Sequence, residues 1–135
     1  MADRNKPIYA RGLEGVIAAE TRIGMVDGIN GKLYYAGYDI NDLAGKVCFE
    51  EVVYLLYNDE LPAREALDAF RADLIGRMEL PKPLLQWFKR VPKKIHPMAV
   101  LRSAVSDLAL YDPEPNDNSY EAYHRRALSL VAKIP

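Results

Sequence analysis

The sequence predicts a mainly α-helical protein with a small β-hairpin near its amino terminus, and two observations carry this prediction. Residues 13–38 contain Asp-Gly and Asn-Gly dipeptides between short segments rich in Val, Ile and Tyr, a pattern typical of strands joined by a tight turn. From Asp39 onward apolar residues recur at spacings of three and four, which indicates helices. We therefore divide the chain into residues 1–38, an amino-terminal segment with the hairpin, and residues 39–135, a helical part.

The hairpin is predicted to pair Thr21–Val26 with Lys32–Tyr35 across the Asp27-Gly28 and Asn30-Gly31 dipeptides. Asx and Gly residues tolerate positive φ, so they suit a tight reversal. Two strands alone are only marginally stable in water. The hairpin therefore needs support from a larger element.

Three helices are predicted next. A short one lies between Asp39, its cap, and Gly45, its end. The next two helices are predicted at Phe49–Tyr57 and at about Ala63–Met78. Glu65 lies in the first turn of the latter, where the helix dipole favours a carboxylate. The apolar faces of the last two are predicted to be Phe49, Val52, Val53 and Leu56, and Leu67, Phe70, Leu74 and Met78.

Three more helices follow. The fourth opens at Pro83 and stops at Pro92, with Leu84, Leu85, Phe88 and Val91 facing inward. The fifth and sixth lie at about 97–111 and 119–135, separated by a loop of Asp, Pro, Asn and Ser residues. Met98, Leu101, Val105 and Leu108 form a seam on the fifth. Asn118 followed by Glu121 resembles a capping box at the start of the sixth.

The sixth helix is still apolar from Leu128 to Ile134 when the sequence reaches Pro135. An exposed apolar end of this kind needs a cover. We expect either further chain or a partner to supply it.

The composition limits the function classes. A chain of 135 residues suits one domain. Eighteen Lys and Arg residues against nineteen Asp and Glu residues give no basic excess for binding nucleic acid or an anionic membrane. No apolar run approaches membrane-spanning length. The lone Cys48 cannot form an internal disulfide and is predicted to be a small buried hydrophobe, so we expect a cytoplasmic protein.

No residue pattern predicts catalysis or metal binding. His96 precedes Pro97 at the start of the fifth helix, which favours a helix-entry role over a general base, and His124 is predicted on the solvated face of the last helix. Two histidines and one cysteine offer no metal-chelating spacing. A phosphate loop is excluded because Val26 stands where a glycine is required and Leu33 where Ser or Thr is required.

The charged clusters are also interpreted as structural. Glu50 and Glu51 are adjacent on a helix and point to different sides, so they are predicted to be a solvated face rather than an acid–base pair. The stretch "KRVPKK" (residues 89–94) is predicted to be a solvated turn rather than an anion site.

Five phrases, in order, resemble the amino-terminal third of the citrate synthase and 2-methylcitrate synthase family. They are "RGLEGV" (11–16), "ETRI…DGINGKLYYAGYDINDLA" (20–44), "FEEVVYLLYNDELP" (49–62), "HPMAVLRSAVSDLALYDP" (96–113) and "LSLVAKIP" (128–135). The resemblance covers nearly the whole chain. It implies a partial multi-helical citrate synthase-like large domain, consistent with the hairpin and helices above.

The family's reaction condenses oxaloacetate with acetyl-CoA, or with propionyl-CoA in 2-methylcitrate synthases. The resemblance implies an aspartate that removes a methyl proton and two histidines that stabilise the enol and act at the oxaloacetate carbonyl. The family carries those residues in later motifs, so we assign no catalytic residue here and expect this chain to be inactive alone. No permanently bound cofactor is implied, since the CoA thioester is a substrate of the full-length enzyme.

The resemblance also implies a cofactor contact and a partner. Arg11, before "GLEG", matches a basic position that contacts CoA in some relatives, where a cation suits phosphate groups. Ala36 stands where many members have arginine, which puts an anion contact by this loop in doubt. The family is homodimeric, and the helices at about 97–111 and 119–135 resemble its subunit interface.

Two alternatives stay open. The chain would also fit a non-catalytic helical assembly module that kept this fold and lost the active site. A further option keeps the fold and changes the reaction, since citrate-cleaving lyases contain a related module.

Overall fold

The structure is a computed structural model that describes residues 16, 17 and 19–135. It forms two compact units, one ending at Leu61 and the other comprising Pro62–Pro135. The elements are mainly helical, as predicted. In chain order they are β1 (Gly24–Asp27), β2 (Lys32–Tyr35), β3 (Tyr38–Asp39), α1 (Ile40–Leu43), α2 (Phe49–Asn58), α3 (Arg64–Arg77), α4 (Lys82–Phe88), α5 (Pro97–Leu108), a 3-10 turn (Ala109–Tyr111) and α6 (Tyr120–Lys133).

The first unit contains the predicted hairpin, in which β1 pairs antiparallel with β2 from Gly24 opposite Tyr35 to Asp27 opposite Lys32. The turn is held by Asp27, whose carboxylate accepts the backbone N–H of Asn30 at 3.0 Å and its side-chain amide at 2.7 Å. The predicted first strand began too early at Thr21. Its hydroxyl accepts the backbone N–H of Ile23 at 3.2 Å, which favours a local turn there instead of a strand.

A third strand corrects the prediction of a two-stranded hairpin. β3 pairs antiparallel with β2, so the sheet has the order β1-β2-β3. The connection between β2 and β3 consists of Ala36 and Gly37, whose φ angles are 44° and 87°. Two successive positive φ angles are the signature of a type I′ turn, which suits the twist of a tight hairpin. The added strand gives the small sheet a second ladder.

Helix α1 begins and ends where the sequence predicts. Asp39 Oδ1 accepts the backbone N–H of Asn41 at 2.9 Å, which caps the helix. Gly45 then takes a φ of 74°, and the backbone N–H groups of Lys46 and Val47 bond the carbonyl of Leu43. Leu43 is buried, so this short helix anchors its unit through one leucine.

Helix α2 is one residue longer than predicted, and part of its predicted apolar face is wrong. Val53 and Leu55 are buried, Leu55 completely, whereas Phe49 is 61% exposed. Cys48 is half-buried rather than buried. It precedes the helix, and its backbone N–H donates to Glu51 Oε2 at 2.7 Å. Glu51 is therefore part of a helix start, not only of a solvated face.

The second unit is built on α3 packed against α6. A long-range hydrogen bond joins their ends, since Lys133 Nζ donates to the carbonyl oxygen of Arg77 at 2.5 Å. The predicted cap of α6 was wrong by one residue: Ser119, not Asn118, accepts the N–H of Ala122, at 3.1 Å. The buried residues of this unit are Leu67, Leu74, Leu84, Ala104, Ala122, Leu128 and Ala132.

Helices α4 and α5 each bury one residue, Leu84 and Ala104 respectively. The prediction of broader buried faces was wrong, because Leu85 is 44% exposed and Met98 62% exposed; Met78 and Phe88 are exposed as well. Helix α4 also ends at Phe88, before the predicted stop at Pro92. The chain turns directly after Phe88, and the backbone N–H groups of that turn donate hydrogen bonds back to carbonyl groups of the helix.

Among the described residues, no helix combines the length and the apolar character needed to cross a bilayer.

Candidate functional site

A cavity of about 740 Å³ lies in the second unit, bounded by the carboxyl end of α3, the end of α5 and α6. We call it the α3–α6 cavity. Most of its surface is apolar. The apolar lining residues are Leu80, Pro81, Val105, Leu108, Ala109, Tyr111, Pro113, Pro115 and Leu130. Its volume lies in the range of small-molecule sites.

Basic side chains outnumber acidic ones around this cavity. The basic residues are Arg77, Lys82, Arg125, Arg126 and Lys133, and the acidic ones are Glu79 and Asp112. An apolar floor with a cationic rim is suited to an anion that carries an apolar body. Most of these cations are already engaged within the protein.

Asp112 holds two of them. Its carboxylate pairs with Arg126 Nε and, at 3.5 Å, with Arg125, and only 12% of its side chain is exposed. The hydrogen bond from Arg126, the backbone N–H of Glu114 and the charges of both arginines keep the pKa of Asp112 below its ordinary value. Arg126 also donates to the carbonyl of Glu114 at 2.6 Å. This network fixes the loop after the 3-10 turn to α6.

Lys133 lies at the other end of the lining. It donates to the Arg77 carbonyl at 2.5 Å and to Ser129 Oγ at 2.8 Å. Burial and the charge of Arg77 lower the pKa of Lys133. A serine beside a lysine has the residue types of a nucleophile and its base. Here, however, the lysine donates to both oxygens, which favours a structural role.

The candidate residues from the sequence do not meet in this cavity. Arg11 lies outside the described residues, so its predicted contact with CoA stays a prediction. His96 Nδ1 accepts the backbone N–H of Met98 at 3.2 Å, which confirms the helix-entry role. His124 is half-buried with its ring 6.3 Å from that of Tyr120, so the prediction of a solvated side chain was wrong.

The sequence reasoning missed the Asp112 network. The segment that begins at Asp112 was interpreted only as a loop of turn residues. The signal was the pair Arg125-Arg126 thirteen and fourteen residues later, where a helix places cations opposite that loop. In the part of the chain that the structure describes, no group of three or more His, Cys, Asp or Glu side chains is placed to hold a metal ion.

The comparisons with known proteins agree on one family. The family model described as "Citrate synthase, C-terminal domain" matches residues 12–135. The chain is 39% identical over 126 residues to "Citrate synthase 2" of Bacillus subtilis, covering 93% of this chain and 33% of that protein. It is 35% identical over 130 residues to the "Citrate/2-methylcitrate synthase" of the same organism, covering 96% and 35%.

The fold agrees as well. The crystal structure of citrate synthase from Thermotoga maritima matches with a TM-score of 0.76 and 32% identity, over 91% of this chain and 31% of that one. The six helices and the small sheet are thus part of an all-α fold of that type. The chain belongs to the citrate synthase family.

The chain spans about a third of the length of the curated relatives that it matches. That this third is the amino-terminal one stays a prediction. The family model's match begins at Gly12, directly after Arg11.

Proposed function

We propose that this chain is part of a longer acyltransferase that condenses a CoA thioester with oxaloacetate to give citrate or 2-methylcitrate and free CoA. The observation that carries the proposal is the family match over residues 12–135, together with relatives named for both products. The CoA thioester acts as a substrate rather than a resident cofactor. With citrate as the product, the protein would act at the entry of the tricarboxylic acid cycle, and we propose that it does so in the cytoplasm.

The chemistry requires a base, donors that stabilise an enolate and a closed site that excludes water. The described part of this chain offers two histidines, and His96 is committed to capping α5. The role of this chain in the proposed enzyme is therefore scaffolding, with the reacting groups supplied by other segments. We expect the chain alone to be inactive.

A homodimer through α5 and α6 is the second element of the proposal. Apolar side chains are exposed along both helices and the turn between them: Met98, Leu110, Tyr111, Tyr120, Tyr123 and Ile134. Of the segment Leu128–Ile134, which the sequence predicted to need a cover, Ile134 is exposed, whereas Leu128 and Ala132 are already buried within the chain.

The dimer is tested by sedimentation of the proposed longer protein that contains this chain, called the full-length parent below. Variants at this surface are measured beside it. Met98→Glu and Leu110→Glu should shift the parent towards monomer, because each buries a charge in the proposed interface. Ile75→Glu is the matched control, since Ile75 is 66% exposed on α3. A parent that sediments as a monomer at high concentration would overturn this part of the proposal.

The activity is tested by product analysis. The parent reading frame, or the intact mass of the natural protein, first establishes whether residues follow Pro135. The purified parent is then incubated with oxaloacetate and either acetyl-CoA or propionyl-CoA, and the product is identified by mass spectrometry. Citrate or 2-methylcitrate supports the proposal, and the preferred thioester decides between the two products. Cleavage of citrate without synthesis would contradict it.

A further inference from the structure

The turn between β1 and β2 contains the one Asn-Gly pair of the sequence, Asn30-Gly31. Both residues are exposed, and Ile29 before them is 97% exposed. Gly31 has a φ of 64°, and a Cβ atom placed on it would meet no atom of the described chain within 4 Å apart from its chain neighbours. The peptide bond between Asn30 and Gly31 is therefore uncrowded on the side where another residue would carry its side chain.

An asparagine that precedes a glycine is open to attack by its own main chain. The backbone nitrogen of the next residue bonds to the asparagine Cγ and closes a succinimide ring, while the side-chain nitrogen takes up the proton that the backbone N–H gives up and leaves as ammonia. Water then opens the ring on one side or the other, which gives aspartate or isoaspartate. Glycine favours the attack because it has no Cβ in the way and its backbone rotates most freely.

Asp27 restrains this asparagine. Its carboxylate accepts the side-chain amide of Asn30 at 2.7 Å and the backbone N–H of Asn30 at 3.0 Å. A side chain held in one position loses its rotational freedom. The two hydrogen bonds therefore oppose the rotation that ring closure with Gly31 requires.

The neighbouring Asp27-Gly28 pair has a similar sequence and a different reactivity. The side-chain amide of Asn30, helped by its backbone N–H, keeps the pKa of Asp27 below the ordinary value of 3.8. Asp27 is therefore ionised at neutral pH. A negatively charged carboxylate resists attack by a backbone nitrogen and has no good leaving group, so the chemistry is directed to Asn30.

Asn58 provides an internal comparison. It is exposed, and its side-chain amide donates to the carbonyl of Tyr54 at 2.9 Å. The next residue, Asp59, has a φ of 62°, almost the same as that of Gly31. The residue after the asparagine thus lies in the left-handed region in both places and carries a Cβ in only one of them.

We propose that Asn30 is a site of spontaneous covalent modification, in which a succinimide formed with Gly31 yields aspartate and isoaspartate at a rate that Asp27 restrains. The product places a second carboxylate beside Asp27, where repulsion replaces a hydrogen bond. Isoaspartate also adds a carbon atom to the main chain. Because the turn adjoins the pairing of Asp27 with Lys32, conversion loosens that end of the hairpin.

The test follows the full-length parent during a warm incubation at mildly alkaline pH. Peptide mapping by mass spectrometry measures the fraction of each asparagine converted to an acid, and chromatography separates isoaspartate from aspartate. We expect conversion at Asn30 with isoaspartate among the products, because direct hydrolysis of the amide would give aspartate alone. Asn58 should stay at its starting level.

Two variants test the role of the glycine. Gly31→Ala and Gly31→Asn should both lower the rate at Asn30 several-fold, because each adds a Cβ to the attacking residue. The second variant guards against a distorted turn, since asparagine tolerates a positive φ better than alanine does.

A third variant tests the restraint. Asp27→Ala should raise the rate at Asn30 several-fold, because it frees the side-chain amide. Asp42→Ala is the matched control, since Asp42 is an exposed carboxylate of the same unit that pairs with Lys46 at 3.3 Å instead. It should leave the rate unchanged.

Three results would overturn the proposal. They are conversion at Asn30 no greater than at Asn58, conversion to aspartate without isoaspartate, or a rate that stays the same in Gly31→Asn or in Asp27→Ala. None of these outcomes bears on the condensation activity, so the two proposals fail independently.

Discussion

The imidazole Nδ1 of His96 accepts the backbone N–H of Met98 at 3.2 Å, so an exposed histidine caps the amino-terminal end of α5. Pro97 occupies the next position, where a helix needs no N–H donor. The pair His96-Pro97 therefore forms the start of α5.

His96→Ala should lower the free energy of unfolding by about 1 kcal/mol, because it leaves the first turn of α5 without its side-chain acceptor. His96→Asn should retain most of the stability, since its carbonyl oxygen can accept the same N–H. Urea unfolding measures both, with Lys94→Ala as an exposed neighbour for control. Equal stability of the Ala and Asn variants would show that the cap contributes nothing.

Asp112 should make stability depend on pH at the acid end. Its pKa in the folded protein lies below the ordinary value of 3.8, chiefly because Arg126 donates to its carboxylate. The resulting stability is fully present above the unfolded pKa and is lost as the pH falls through the folded pKa. We therefore expect stability to decrease as the pH falls below about 4.

Asp112→Asn should lower the melting temperature at neutral pH and flatten this acid dependence. Asp107→Asn is the matched control, because Asp107 is half-buried on α5 and makes no recorded ion pair in the described residues. Thermal unfolding as a function of pH measures both. If Asp112→Asn keeps the full loss of stability at acid pH, that loss arises from other carboxyl groups.

Ala36 should be a site of backbone strain. It has a φ of 44° beside Gly37 at 87°, and a residue with a Cβ pays about 1 kcal/mol or more in the left-handed region. Ala36→Asn should raise the free energy of unfolding by about 0.5 kcal/mol, because Asn tolerates positive φ. Ala36→Val should lower it by about 1 kcal/mol or more, because β-branched residues disfavour that region. If a denaturant titration finds the Val variant more stable than the Asn variant, that result would contradict a type I′ turn at this position.

Two adjacent leucines of α4 should differ sharply in their contribution to stability. Leu84 is 1% exposed and Leu85 is 44% exposed. Leu84→Ala should lower the free energy of unfolding by about 3 kcal/mol, because it removes packing and leaves a cavity. Leu85→Ala should change the free energy of unfolding by no more than about 0.5 kcal/mol. Both are measured by equilibrium unfolding of the same protein. If Leu85→Ala proves as costly as Leu84→Ala in the full-length parent, other parts of that protein cover Leu85.

Local signals in the sequence predicted the elements well. Asp39 and Gly45 bound α1, and Pro97 starts α5, because caps, glycines and prolines act through their own backbone. β3 was missed because two residues carry no periodicity, and its turn depends on the unusual φ of Ala36. The wrong buried faces have another cause: periodicity identifies an apolar side but not what covers it, as Phe49 and Met98 show.

The candidate site was harder to predict than the fold. The α3–α6 cavity and the Asp112 network join residues from three segments, 77–82, 105–115 and 125–133, and no single stretch of sequence contains them. Arg11 lies outside the described residues, so its predicted role in CoA binding stays a prediction.

The most direct test of the central claim is thiol release from acetyl-CoA, measured side by side for the full-length parent and for residues 1–135. The account predicts release by the parent that requires oxaloacetate, and none above the protein-free blank for the shorter chain. Oxaloacetate-dependent release by residues 1–135 would contradict the scaffolding role. Its absence from a folded parent with both acetyl-CoA and propionyl-CoA would contradict the proposed reaction.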